Sequence, residues 1–109
     1  MKIGTRSIGR CRILDISGKI QIGPDTAALR DAIRKEVALG PSKIVLNLCE
    51  VSYIDSVGIG QLVESYTHAQ NQGIKLVLMN LDKKIRQLLV ITKLITVFEN
   101  YDNEGLAVA

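Results

Sequence analysis

The chain has 109 residues, of which 47% are hydrophobic, 23% charged and 4% aromatic, with no Trp. Those proportions describe one compact soluble domain spanning residues 1–109, because two halves would each be too small to build a core. The formal net charge is only +3 and is spread along the chain, which excludes a disordered polyelectrolyte.

In chain order, Met1 to Ser7 reads as a weak strand broken at Gly9. Cys11 to Ile16 reads as a second strand, ended by the turn signal Ser17-Gly18. Gly23-Pro24-Asp25 starts a helix, since proline fits a first turn and aspartate favours its positive end. Leu29, Ala32, Ile33 and Val37 then recur at helical spacing until Gly40-Pro41. Lys43 to Leu48, with Ile44-Val45-Leu46 inside it, predicts a strand buried between helices, followed by an irregular stretch through Tyr53-Ile54. Asp55-Ser56 opens a second helix with Ile59, Leu62, Val63, Tyr66 and Ala69 on its apolar face and Gln72-Gly73 at its end. Ile74 to Met79 is another apolar strand. Lys83 to Leu94 is a third helix carrying Ile85, Leu88 and Leu89, and a last short strand is expected near Thr96 to Tyr101. Asn103 to Ala109 stays open between a helical turn and a frayed tail. This order predicts an α/β fold: a mixed central sheet of four to five strands, an opening hairpin, and parallel neighbours joined through three to four packed helices.

No apolar run approaches the ~18 residues of a membrane span, and Met1-Lys2-Ile3-Gly4-Thr5-Arg6 lacks the apolar stretch of a signal peptide. The expectation is a cytoplasmic protein with Cys11 and Cys49 reduced and buried. The basic spots Arg6, Arg10 and Arg12, then Lys83, Lys84 and Arg86, carry no interleaved aromatics and read as solvated faces rather than a nucleic-acid platform.

Catalysis finds little support. The single histidine, His68, falls opposite the buried face centred on Ile59, at about 3.6 residues per turn. Gly58-Ile59-Gly60 begins like a dinucleotide fingerprint, but position 63 is Val, and no Walker-type loop is present. The carboxylates show no acid–base pairing by spacing. No metal ligand set and no cofactor are indicated, and two cysteines with one histidine do not furnish a four-ligand zinc site.

The segment that stands out is Tyr53-Ile54-Asp55-Ser56-Val57-Gly58-Ile59-Gly60. Two glycines in the first turns of a helix each cost roughly 0.5–1 kcal/mol relative to Ala, so something must offset them. Either Gly60 lets the helix start lie close to the sheet, or a backbone without side chains gives another protein access to Ser56. Asp55 or Ser56 is the natural N-cap.

Asp55-Ser56-Val57-Gly58-Ile59-Gly60 resembles the Asp-Ser-x-Gly-Leu-Gly signature of STAS domains, in particular the anti-sigma factor antagonists. Ile13-Leu14-Asp15-Ile16-Ser17-Gly18-Lys19-Ile20 is similar to the family's second strand and turn. Ile44 to Leu48 with Val51, Tyr53 and Ile54 resembles its central strand. Thr92-Lys93-Leu94 with Val97-Phe98 resembles a late Thr-Gly-Leu…Phe segment, with Lys93 where Gly is common. The likeness covers nearly the whole chain in the right order.

The resemblance implies a single STAS-like domain and a partner-switching role. In that role the unphosphorylated antagonist binds an anti-sigma factor that is also a serine kinase, and a sigma factor is released. The kinase phosphorylates the serine after the Asp, here Ser56, and a metal-dependent serine phosphatase reverses the step. Partner contacts are expected from Asp55, Ser56, Val57, Gly58, Gln61 and Glu64, with His68 continuing the outward stripe. No nucleic acid or membrane enters this role, and weak self-association is left open. Two features depart from the family pattern: Val at position 57, and a basic charge balance. The rival reading is a non-catalytic STAS subunit of a stressosome or of an ABC-type lipid transporter complex.

Overall fold

The computed structural model describes residues 1–109, and strands and helices alternate along them. In order they are β1 (Lys2–Ile8), β2 (Cys11–Ile20), α1 (Pro24–Ala38), β3 (Lys43–Ile54), α2 (Ser56–Asn71), β4 (Lys75–Met79), α3 (Lys83–Ile91), a 3-10 turn (Leu94–Thr96), β5 (Asn100–Tyr101) and α4 (Glu104–Val108). The five strands lie side by side in chain order, with β1 antiparallel to β2 and the rest parallel. This is the mixed α/β sheet that the alternation predicts, and each parallel pair is joined by a helical crossover.

Strand register sorts the apolar residues onto two faces. Leu14, Leu46 and Leu78 stand in register across β2, β3 and β4. They point into the larger core, which includes Leu29 and Ile33 of α1, Leu62 of α2, and Ile85 and Leu89 of α3. The alternate residues Ile13, Val45 and Val77 face the other way and are covered by Ala107 of α4. Since successive strand residues point to opposite faces, strands buried on both sides read as continuous apolar runs, as Ile44 to Leu46 does.

The short α4 is fixed by polar contacts. Lys43 Nζ donates to the carbonyls of Ala107 (3.0 Å) and Ala109 (2.9 Å). Arg6 pairs with Glu104 of α4 and with Asp15 of β2, the latter at 2.7 Å. Asn103 caps the helix by accepting the Leu106 amide. The tail is therefore a docked helical turn.

Five expectations change. β2 runs through Ser17-Gly18 to Ile20 instead of ending there, because both residues stay paired with β3. β3 runs on to Ile54 instead of stopping at Leu48, and its pairing with β2 survives two register shifts, between Asp15 and Ser17 and between Gly18 and Lys19. The last strand is only Asn100–Tyr101, because the 3-10 turn occupies the start of the expected segment. α3 ends at Ile91 rather than Leu94. Cys11 is buried as expected, but Cys49 is exposed; both thiols are free.

Lys93, where the related pattern has Gly, adopts a left-handed conformation (φ 62°, ψ 16°). A side chain costs roughly 1–2 kcal/mol there, while glycine surrenders more chain entropy on folding. Lys93→Gly is therefore expected to stabilise the fold by about 0.5 kcal/mol, read as a higher urea midpoint at unchanged slope.

Candidate functional site

β3, the middle strand, ends at Ile54, and the Asp55 amide donates to the Ile20 carbonyl at 3.2 Å. Asp55 is extended (φ −91°, ψ −178°) and is the N-cap of α2. One carboxylate oxygen accepts the Gly58 amide at 2.7 Å and the other accepts the Ile22 amide at 2.9 Å. A single side chain thus ties the first turn of α2 to the β2–α1 connection.

The Ile22 amide, followed by that of Gly58, holds the Asp55 carboxyl below the usual carboxylate range. A lowered folded-state pKa means that the ionised cap contributes in full above the unfolded value of about 3.9. That contribution is lost as pH falls through the lower folded value. Asp55→Asn has no such titration. Its melting-temperature deficit against the wild type is expected to narrow as pH drops below about 4. A deficit constant down to acid would contradict this account of the cap.

Because Asp55 takes the capping role, Ser56 is left as the first helical residue, exposed, with no hydrogen bond to its hydroxyl. The alternative in which Ser56 is a plain cap does not describe this structure. The two glycines also separate in role. A Cβ on Gly58 would drive into the Ile20 carbonyl and lie 2.9 Å from Ile54 Cγ2, whereas one on Gly60 would meet nothing within 4 Å. Close approach to the sheet therefore belongs to Gly58, not Gly60, which lies open on the surface.

The surroundings of Ser56 are apolar and exposed. Val57 is 42% exposed, Tyr53 at the end of β3 is 49% exposed, and Ile22 is 71% exposed beside the Asp55 carboxylate that holds its amide. Sequence reasoning singles out Val57 but misses Ile22 as a site residue. Ile22 lies in a turn between Gln21 and Gly23, where no periodicity tells inward from outward.

The outward stripe expected on α2 is only partly open. Val57 is exposed, but Gln61, Glu64 and His68 are half-buried. Gln61 Nε2 donates to Glu64 at 2.8 Å and to Ser65 at 3.0 Å, and Glu64 pairs with Arg34 of α1. Partial burial pushes the Glu64 carboxyl up, but bonds from Arg34 and Gln61 outweigh it and hold the group low. Spacing from Ile59 gives the correct buried face. It does not show that α1 packs along one flank of α2. Gly58 is buried, and the Asp55 carboxylate is committed to amides, so neither presents a free side chain to the surface.

No three His, Cys, Asp or Glu side chains converge as metal ligands. No helix is long and apolar enough to cross a membrane.

The sequence profile of the STAS domain matches residues 2–107. The chain belongs to the STAS domain family. A Thermotoga maritima protein assigned as an anti-sigma factor antagonist is similar to this STAS domain with a TM-score of 0.88 at 22% identity, over 97% of this chain and 91% of its own. The Bacillus cell fate determinant SpoIIAA, in its phosphorylated form, is similar with a TM-score of 0.73 at 16% identity, over 96% of both chains. A sulfate transporter family protein from Wolinella succinogenes is similar too, with a TM-score of 0.74 at 18% identity over 90% of this chain and 81% of that one. At these identities the likeness is one of fold, so the role of this STAS domain rests on its own residues around Ser56.

Proposed function

We propose that this STAS domain, a single unit over residues 1–109, is a cytoplasmic, non-catalytic anti-sigma factor antagonist. Its unphosphorylated Ser56 face binds an anti-sigma factor with serine kinase activity and so frees a sigma factor. Phosphorylation of Ser56 ends the binding, and a metal-dependent serine phosphatase restores it. The supporting observation is an exposed Ser56 hydroxyl, free of any bond and placed on the first turn of α2, with Val57 exposed next to it, Tyr53 exposed at the end of β3 and exposed Ile22 tied to Asp55.

The contact surface in this reading is Ser56 and Val57, extended to Ile22, Tyr53 and the open backbone at Gly60. Asp55 and Gly58 serve it by setting the geometry, and Gln61 and Glu64 form its rim against α1. Phosphate adds about −1.5 to −2 charges. At a helix N-terminus that charge is tolerated while hydrated, because the first-turn amides face it. Covering it with a partner that also buries Ile22, Tyr53 and Val57 is another matter, since an unpaired buried charge costs several kcal/mol. The switch thus acts on the complex and leaves the fold intact.

The test uses the purified serine kinases of the source organism, one at a time, with ATP, and locates phosphate by mass spectrometry. One phosphate, on Ser56, is expected, with loss of kinase binding. Ser56→Ala is expected to keep the partner bound and Ser56→Asp to release it, both within about 0.5 kcal/mol of wild-type stability. Phosphate elsewhere, or a phosphorylated domain that binds unchanged, sinks the proposal. An Ser56 that no kinase modifies would favour the accessory-subunit role that the transporter-family likeness offers.

A further inference from the structure

Beside Tyr53 the surface opens into a groove of about 260 Å³ between the end of β3 and α3, lined by Ser52, Tyr53, Ile54, Lys84, Ile85 and Leu88. Two of its lining residues, Tyr53 and Ile54, are followed directly in the chain by Asp55 and Ser56. One turn beyond Leu88, Ile91 of α3 is 78% exposed, which prolongs the apolar strip. An apolar groove with an apolar extension next to a docking face is a place where a partner's side chains can be desolvated.

Its one charged lining residue is Lys84. Arg6, Arg12, Arg34, Lys75 and Arg86 are all held in ion pairs, but Lys84 in the groove is in none, nor are Lys19, paired in register with Tyr53, and Lys83 next to Lys84. The acids outside ion pairs are Glu50, Asp55 and Asp82; Asp55 accepts the Ile22 and Gly58 amides, Asp82 accepts the Ile85 amide, and none of the three lines the groove. The groove lining itself therefore offers one cation, the unpaired Lys84, and no anion.

We propose that the groove is a second part of the docking surface, and that its occupant is an acidic amphipathic segment of the anti-sigma factor. An apolar side chain would seat between Tyr53 and Leu88, with a carboxylate on Lys84. This rests on the reading of Ser56 as a switch and says what kind of partner that switch addresses. It also gives the phosphate a second effect: a dianion on Ser56 repels the same acidic segment that Lys84 attracts.

The experiment has two arms, both on the full chain. In the first, the isotope-labelled protein is titrated with a short peptide of leucine and glutamate, and separately with its leucine–lysine counterpart, while amide shifts are followed. Shifts confined to Tyr53, Ile54, Lys84 and Leu88 are expected for the glutamate peptide alone. Equal response to both peptides, or shifts elsewhere, overturns the proposal. In the second arm, Lys84→Glu is expected to weaken binding of the kinase that modifies Ser56 about tenfold and to flatten its salt dependence, with Lys35→Glu on α1 as the equal-charge control. Unchanged affinity of Lys84→Glu overturns the proposal while leaving Ser56 intact as a switch. If no kinase binds the wild type, the switch reading fails and the peptide arm decides the groove.

Discussion

Gly58→Ala is expected to destabilise the domain by about 2 kcal/mol, and Gly60→Ala to stabilise it by about 0.5–1 kcal/mol, although the two residues are one turn apart or less in the same helix. The added Cβ at 58 collides with the Ile20 carbonyl and crowds Ile54 and Ile20 Cγ2, so β2 or α2 has to shift. Neither neighbour gives easily: Ile20 and Ile54 are paired in register, and the Ile20 carbonyl already accepts the Asp55 amide. At 60 the Cβ projects into open space and only the helix propensity of alanine remains. Urea unfolding of the two variants reads both effects as midpoint changes at constant slope. Equal and same-signed shifts would remove the close-approach explanation of Gly58. A Gly60→Ala domain that is more stable yet binds the proposed anti-sigma factor less well would show that the open backbone at 60 serves the contact.

Leu46→Ala is expected to cost more, about 2–5 kcal/mol. Leu46 is wholly buried and stands between Leu14 and Leu78 under helices anchored by Leu29, Ile33 and Leu62. Three strands and several helices frame the void, so little collapse is available to soften the loss. Val45→Ala, one residue away on the opposite face, is expected to cost about half as much. It deletes fewer carbons, and its cover is a five-residue helix contributing the single buried Ala107. The comparison is made by thermal or urea denaturation. A Val45→Ala loss as large as that of Leu46→Ala would mean that α4 is as rigid a cover as the helices opposite.

Much of this was legible in the chain because local signals and tertiary packing agree. Pro24, Asp55 and Gly73 bound helices where turn chemistry says they should, and the continuous apolar run Ile44 to Leu46 marks a strand covered on both sides. The failures share a cause, which is information held by a neighbouring element. The extension of β3 through Cys49-Glu50-Val51-Ser52 has no clean alternation because its register against β2 shifts twice, so only the partner strand reveals it as a strand. Gln61 and Glu64 look like a solvated stripe until Arg34 of α1 is seen against them. Gly58 and Gly60 are indistinguishable in the sequence, and only the Ile20 carbonyl separates them. Of the serine's surroundings, Val57 could be read from helical spacing, but Ile22 lies more than thirty positions earlier and comes to the site through a backbone amide.

That amide has a consequence for how Ser56 is recognised. The platform under the serine is assembled from two separated stretches: the Ile22 connection, and the continuous run from the end of β3 into the first turn of α2. A synthetic copy of residues 53–60 would carry the hydroxyl with Tyr53, Asp55 and Val57, but without Ile22 and the amide that ties the Asp55 carboxylate to the β2–α1 connection. In the proposed switch Ser56 is in this sense a conformational epitope, and a kinase acting on it would also inspect whether the chain has folded.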